Sequence, residues 1–227
     1  MLECDHVSDD LRHIAGDYRD MFALLFARHA PKVELAYFDA QRGELPGSVD
    51  ACDGYLTTGS RYSAYDDPTW IEELKDFVRR LEDADKPFVG ICFGHQVLAE
   101  ALGGRVRRAE RGWGIGAHQM KIVQSEPWMK PPQNDCALLY SHRDQVELLP
   151  EGSVVLASSE HCPVAMFRTG ERMLGIQGHP EFTAEYAEAL VRGRTELIGA
   201  EHVLKADFKT KADDAVITSW MMNFLAT

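Results

Sequence analysis

The sequence predicts an α/β protein built on a three-layer, open, mostly parallel sheet with helices on both faces and an antiparallel extension. In about the first hundred residues, short apolar runs alternate with amphipathic helical patterns, which is typical of successive βαβ units. From about residue 105 to 178 the segments are short and strand-like, with turn residues between them. This second pattern indicates antiparallel or mixed pairing next to the parallel part.

Four short runs supply the predicted parallel strands. Residues 2–4 form a very short first strand, which leaves open a start further upstream, and residues 33–39 (VELAYFD) form the second. Residues 54–59 (GYLTTG) and 86–91 (KPFVGI) follow. Short apolar runs bounded by turn residues are typical of buried strands, and parallel neighbours need a crossover between them.

Helices are predicted where the spacing of the apolar residues changes to that of an α-helix. In residues 70–84, apolar side chains recur at offsets of three, four and seven and therefore share one helical face. Residues 93–104 form a helix that ends at a glycine pair, and the tail from Ala184 onward is helical in pattern. The antiparallel extension is assigned to the segments HQMKIV, CALLYS, SVVLAS and VAMFRT.

Length and composition predict one domain, residues 1–227, with a sizeable core. Of the 227 residues, 45% are hydrophobic and 26% charged, and no repeat or low-complexity linker divides them. The net charge is -12 and the pI about 5.2. Because such a surface repels phosphate backbones and anionic lipids, we expect no nucleic acid and no membrane among the partners.

Cellular location and cofactors are predicted from what the sequence lacks. The first 20 residues carry no basic segment followed by an apolar run, and residues 21–27 (MFALLFA) are far shorter than the about 20 residues that span a bilayer. Five scattered cysteines favour free thiols in the cytoplasm. The pairs Cys4-x-His6 and His161-Cys162 have no further ligands nearby in sequence, so no metal and no cofactor are expected.

A strand-to-helix elbow centred on Cys92 is the most informative segment. Gly90 and Gly94 flank the cysteine at two positions on either side, after a predicted strand and before a predicted helix. Small neighbours allow the strained turn on which a nucleophile is exposed at the carboxyl end of a sheet. The helix N-terminus stabilises a thiolate, and the backbone N–H of Phe93 points to the place where an oxyanion would form.

The segment G-H-P-E (residues 178–181) supplies a base for this thiol. It follows a strand-like run, MLGIQ, and in extended backbone the side chains of His179 and Glu181 project to the same side. The carboxylate can then fix the imidazole tautomer while the ring accepts the thiol proton. His95, next to the cysteine, is turned away by the helix and is predicted to be structural.

Three motifs together resemble the class I glutamine amidotransferase family, and in particular its GMP-synthase-like branch. They are G-I-C-F-G-H-Q (residues 90–96), S-H-R-D (141–144) and G-H-P-E (178–181), and the resemblance extends over essentially the whole chain. It implies the flavodoxin-like fold of that family. It also implies that Cys92 attacks a γ-glutamyl carbonyl to form a thioester, with His179 as general base and acid and Glu181 orienting it.

The resemblance implies further roles around the triad. Gly59 would supply a second oxyanion N–H beside that of Phe93. The glutamyl end of a small γ-glutamyl substrate would be bound by residues from three segments, namely Ser60, Gln96, Ser141 and His142. The loop sequence departs from the family's Gly-Gly-Pro-like run and reads Thr-Thr-Gly-Ser-Arg-Tyr-Ser, which is similar to stand-alone members resembling γ-glutamyl peptidases.

Three functions remain open at this point. The leading hypothesis is a free-standing hydrolase of a γ-glutamyl amide bond, in glutamine or in a γ-glutamyl peptide or amine. The second is a glutaminase subunit that passes ammonia to a separate synthase, because the chain has no phosphate-binding loop of its own. The third is a non-catalytic or redox-sensing cysteine-elbow protein, against which the oriented acid–base pair argues. A synthase partner or a homo-oligomer remains open as well.

Overall fold

A computed structural model describes residues 1–227. The chain forms eleven strands, which are β1 (Leu2–Glu3), β2 (Phe38–Asp39), β3 (Tyr55–Thr57), β4 (Phe88–Ile91), β5 (Arg105–Arg108), β6 (Gly114–Ile122), β7 (Asp135–His142), β8 (Asp144–Leu148), β9 (Val154–Ser158), β10 (Met166–Thr169) and β11 (Met173–Ile176). Its α-helices are α1 (Arg12–Ala15), α2 (Tyr18–His29), α3 (Thr69–Asp83), α4 (Phe93–Ala101), α5 (Ala184–Gly193), α6 (Thr195–Ile198), α7 (Ala200–Lys205) and α8 (Asp214–Leu225).

The main sheet has nine strands in the order β2-β1-β3-β4-β11-β10-β9-β6-β7. The pairs from β2 to β11 are parallel, and the pairs from β11 to β7 are antiparallel. Strands β5 and β8 form a separate antiparallel pair. This arrangement confirms the predicted parallel sheet with an antiparallel extension.

Helices cover both faces of the parallel strands. One core cluster joins apolar residues of α2 and α8 to Val89 and Ile91 of β4, and the other joins α3 and α4 to Tyr55 and Phe88. Alternate residues of β4 therefore serve opposite cores, as the period of a strand requires. The three predicted layers are confirmed. No helix has both the length and the apolar character needed to cross a membrane.

The predicted strand 33–39 was too long. Only Phe38–Asp39 pairs in the sheet, at its edge, while residues 33–37 carry no strand assignment. The strand is short because β1, the strand with which it pairs, offers only Leu2 and Glu3 for pairing. The helical tail is also interrupted, since residues 206–213 are irregular and bond to the sheet instead, for example from Asp213 N–H to the Ala137 carbonyl at 2.8 Å.

Helix α2 and the β5–β8 pair were not predicted. The N-terminus of α2 has a reciprocal cap, in which the Asp17 side chain accepts from the first turn and the Asp20 side chain accepts from Asp17 N–H at 2.8 Å. The spacing of these two acids is a recognisable start signal for a helix. Together with the apolar run MFALLFA it would have been sufficient to predict α2.

Candidate active site

Cys92 lies on a strained turn between β4 and α4. It caps the N-terminus of α4 with φ 50° and ψ -95°, a left-handed region that few side chains adopt. A β-carbon on Gly90 would come within 2.3 Å of the Gly94 carbonyl oxygen, and one on Gly94 within 1.6 Å of Thr57 Oγ1. Both glycines are therefore required for the close approach of the helix to the sheet.

His179 and Glu181 follow β11, the strand next to β4. A backbone bond from His179 N–H to the Leu139 carbonyl, 2.8 Å long, fixes the start of the segment against β7. His179 Nδ1 lies 2.7 Å from Glu181 Oε1, and both side chains are buried. The ring of Phe182 stacks on the imidazole, with centroids 3.8 Å apart and planes 5° from parallel. Hydrogen bond and stacking together define the orientation of the imidazole.

The imidazole is in an electrostatic setting that favours its charged form. Burial opposes protonation of His179, but the negative charges of Glu181 and Cys92 and the hydrogen bond to Glu181 outweigh it and raise the pKa of His179. A β-carbon built on Gly59 would lie 3.6 Å from His179 Nε2 and 3.7 Å from Cys92 Cβ, so the imidazole and the cysteine flank the same point of the structure.

Two backbone N–H groups beside Cys92 donate to no acceptor within the protein. They belong to Gly59, in the loop after β3, and to Phe93, at the first position of α4. Both residues are buried. Buried backbone donors are normally paired, so a pair of free ones next to a thiol is suited to an oxyanion.

The position of Gly59 leaves no room for a side chain. A β-carbon at this position would lie 2.7 Å from His179 Cε1 and 3.7 Å from Cys92 Cβ. The preceding residue, Thr58, was not singled out from the sequence. Its hydroxyl accepts from Cys4 N–H at 2.9 Å and donates to the Gly59 carbonyl at 3.0 Å, so it fixes the loop to the start of the chain.

A cavity of 380 Å³ opens next to Cys92, within the usual size range for small-molecule sites. Its lining includes Cys92 and all four predicted substrate contacts, which are Ser60, Gln96, Ser141 and His142. Its walls come from the N-terminal segment, the loop after β3, the β7–β8 turn and α5. Cys92 and the predicted substrate contacts are thus brought to one cavity, while Gly59, Phe93, His179 and Glu181 lie outside its lining.

The side chains of Gln96 and His142 already form hydrogen bonds within the protein. Gln96 Nε2 donates to the Asp144 carbonyl at 2.8 Å and to Gln177 Oε1 at 3.2 Å. His142 Nδ1 lies 3.0 Å from the same Asp144 carbonyl, and burial lowers the pKa of His142 to about 3. Both side chains therefore brace the turn after β7, so that a neutral imidazole and the backbone of the turn face the cavity.

His95 has a packing role. Its ring is fully buried and lies edge-on to Phe167, with centroids 5.0 Å apart. Burial lowers the pKa of His95 to about 3, so the ring is neutral at physiological pH. No group of three or more His, Cys, Asp or Glu side chains is arranged to hold a metal ion.

Several cavity residues lie outside the three motifs and were not predicted. They are carried by the N-terminal segment and by α5 and its end, and include Asp5, Tyr18, Tyr186 and Arg194. Asp5 accepts from the backbone N–H of Arg61 at 2.8 Å and ties the loop after β3 to this segment. Only the tertiary fold brings them to the site, so no local pattern in the sequence could identify them.

The fold and this cluster define an α/β protein with a cysteine elbow facing a buried His–Glu pair. Residues 37–192 match the family model described as glutamine amidotransferase class-I. The chain belongs to the class-I glutamine amidotransferase family and is an enzyme of that family.

The similar proteins include a peptidase and a synthase subunit. The chain is similar to gamma-glutamyl peptidase 3 of Arabidopsis thaliana, with 33% identity over 82% of this chain and 76% of the relative. It is also similar to a subunit of the glutamine-hydrolyzing GMP synthase of Methanoculleus marisnigri, with 40% identity over 44% of this chain and 54% of the relative. A solved glutamine amidotransferase from Thermotoga maritima shares the fold, with a TM-score of 0.74 at 18% identity, covering 99% of this chain and 95% of that one.

Proposed function

We propose that this protein is a free-standing hydrolase that cleaves a γ-glutamyl amide bond through a thioester on Cys92. The observation that carries the proposal is that Cys92, which lines the cavity, has the buried His179–Glu181 pair and the free N–H groups of Gly59 and Phe93 close to it. A nucleophile, an oriented base and oxyanion donors are the three parts that acyl transfer needs.

In the first half of the reaction, the thiolate of Cys92 attacks the γ-carbonyl carbon. A C–S bond forms, and the carbonyl electron pair moves to the oxygen, where the Gly59 and Phe93 N–H groups stabilise the negative charge. The intermediate then collapses and the C–N bond breaks. His179, whose pKa is raised, is protonated at this stage and gives its proton to the leaving amine.

In the second half, water hydrolyses the thioester. Neutral His179 takes a proton from the water, and the resulting hydroxide adds to the thioester carbonyl, again with the oxyanion held by the two backbone donors. The C–S bond breaks, a γ-carboxylic acid leaves, and Cys92 returns to the thiolate beside the imidazolium. Throughout the cycle Glu181 holds the Nδ1 side of the ring at 2.7 Å and balances its charge.

The polar character of the cavity supports a hydrolase that works without a partner. Charged side chains line its wall, among them Asp5, Asp10, Arg61 and Arg143. Interfaces between permanent subunits are depleted of charge at their centre. The name of the Arabidopsis relative, gamma-glutamyl peptidase 3, supports the same assignment.

A substrate screen tests the proposal. The purified chain is incubated with glutamine and with a set of γ-glutamyl amino acids, peptides and amines, and free ammonia and free glutamate are measured separately. We expect kcat near or above about 1 s⁻¹ on at least one substrate, the lower end of the usual range for enzymes. Cys92→Ala provides the blank, and a chain inert on every substrate would contradict the proposal.

A second candidate function is the donation of ammonia to a separate synthase, which the similarity to part of a GMP synthase favours. A chain of this kind depends on its synthase for activity. The same screen separates the two candidates when it is repeated with a co-purified synthase. Activity that appears only with the synthase, and only on glutamine, would establish the second function.

A further inference from the structure

Three arginines line the cavity that contains Cys92, and two of them are neutralised by the protein. Arg61 Nε lies 2.9 Å from Asp5 Oδ2, and its Nη2 donates to a backbone carbonyl. Arg143 Nε lies 3.2 Å from Asp144 Oδ1. These two guanidinium groups hold the loop after β3 and the turn after β7 in place, so their charges are already used within the wall of the cavity.

Arg194 is the exception. Its only side-chain hydrogen bond runs from Nη1 to the Ser141 hydroxyl at 3.3 Å, and it has no carboxylate partner. In a chain with a net charge of -12, this guanidinium lines the cavity beside Cys92 without an acidic partner. The remaining donors of its planar fork have no acceptor in the protein and are available to a ligand.

The surroundings of Arg194 strengthen its interaction with a bound anion. The residue follows α5 directly as its C-cap, and its side chain is only partly exposed. Tyr18 and Tyr186, both buried, lie close enough for the charge of Arg194 to act on their phenol groups. Partly desolvated cation sites interact more strongly with anions than exposed ones do.

We propose that Arg194 binds a carboxylate of the substrate and thereby selects γ-glutamyl amides that carry one near this wall. The inference rests on the proposed hydrolysis of γ-glutamyl amides and specifies its substrate class. A planar guanidinium forms two parallel hydrogen bonds with a carboxylate, which no neutral amine or alcohol can reproduce. The carboxylate comes either from the glutamyl group or from the leaving group of a γ-glutamyl amino acid or peptide.

Steady-state kinetics with three substrates distinguishes these two sources. Glutamine carries only the glutamyl carboxylate, γ-glutamylglycine carries a second one on its leaving group, and γ-glutamylglycinamide has the leaving group without its charge. For Arg194→Gln we expect KM to rise roughly 10- to 100-fold, the range of a charge-assisted hydrogen-bonded pair, while kcat changes little. A rise for γ-glutamylglycine alone identifies the leaving-group carboxylate, and an equal rise for all three identifies the glutamyl carboxylate.

Arg192→Gln is the matched control. Arg192 is in the last turn of the same helix and shares any helix-dipole effect, but its side chain pairs with Glu188 on the exposed surface. Its KM values should equal those of the wild type. Arg194→Lys, which keeps the charge and loses the fork, should recover part of the lost affinity.

Binding to an inactive enzyme removes turnover from the measurement. Calorimetric titration of γ-glutamylglycine into Cys92→Ala and into Cys92→Ala/Arg194→Gln should give dissociation constants that differ by the same 10- to 100-fold. Equal constants, together with KM values of Arg194→Gln within about twofold of wild type on every substrate, would overturn the inference. An inert wild-type enzyme contradicts the proposed function instead, so the two failures are distinguishable.

Discussion

Gly59 and His179 lie so close together that a single methyl group on Gly59 would come within 2.7 Å of the imidazole Cε1. The glycine is therefore part of the alignment between the imidazole, the Cys92 sulfur and the free N–H group of its own peptide. This contact connects the loop after β3 with the segment after β11, two elements that only the folded sheet brings together.

Gly59→Ala should impair catalysis far more than stability. The added methyl group has to displace the imidazole or the loop, and loss of one oxyanion donor typically costs about 100- to 1,000-fold in kcat. The measurement is kcat together with the thermal midpoint. Gly47→Ala is the control, because a β-carbon at Gly47 meets nothing within 4 Å. Equal kcat values for the two variants would contradict the role assigned to Gly59.

Cys92→Ala should abolish turnover and covalent labelling. We expect a glutamine-analogue electrophile to add one adduct per chain, and peptide mapping to place it on Cys92, which lies on the strained turn at the start of α4. Cys52→Ser serves as the control, since Cys52 is a free and half-buried cysteine that does not line the cavity. An adduct on any other cysteine, or residual turnover in Cys92→Ala, would require a different nucleophile.

His179→Asn and Glu181→Gln should both lower kcat, and the first should lower it more. Loss of the imidazole removes the base and the acid, each worth roughly 100- to 10,000-fold. Glu181→Gln keeps a hydrogen-bonding group 2.7 Å from Nδ1 but removes the charge that stabilises the imidazolium. If both variants lost the same activity, the carboxylate would be doing more than orienting the ring.

Local spacing explains why part of the site could be predicted from the sequence. The glycines around Cys92 are two residues from it, and His179 and Glu181 are two residues apart in extended backbone, so each pattern is complete within a few residues. Strands β3 and β4 and helices α3 and α4 were predicted for the same reason. Their apolar periods are properties of short segments.

Long-range placement explains what could not be predicted. Strand 33–39 is shortened by its partner β1, which is distant in sequence and supplies only two residues for pairing. Arg194 reaches the cavity only because α5 packs against β7, where its side chain meets Ser141. Neither the shortening of the strand nor the position of Arg194 can be recognised from the residues next to it in the sequence. The carboxylates that anchor the N-terminal segment are equally scattered along the chain.

The last prediction concerns His6, which bridges two of those carboxylates. Its Nδ1 lies 3.0 Å from Asp17 Oδ2 and its Nε2 lies 2.9 Å from Asp39 Oδ2. Burial opposes the charge on the ring, but the hydrogen bonds to Asp39 and Asp17 outweigh it and raise the pKa of His6. Arg12, on the Asp17 side, and Arg42, on the Asp39 side, also face these carboxylates.

Because the pKa of His6 is higher in the folded state than its ordinary value of about 6.5, the bridge stabilises the fold fully below that value. The stabilisation is lost as the pH rises through the pKa of the folded state. His6→Gln should therefore destabilise the protein at pH 6 by about 1 kcal/mol or less, as expected for a partly exposed pair, and by a smaller amount at pH 9. Urea denaturation of both proteins at the two pH values measures this difference, in which the titration of all other groups cancels. A destabilisation that is equal at both values, or larger at pH 9, would mean that His6 is bound as the neutral imidazole.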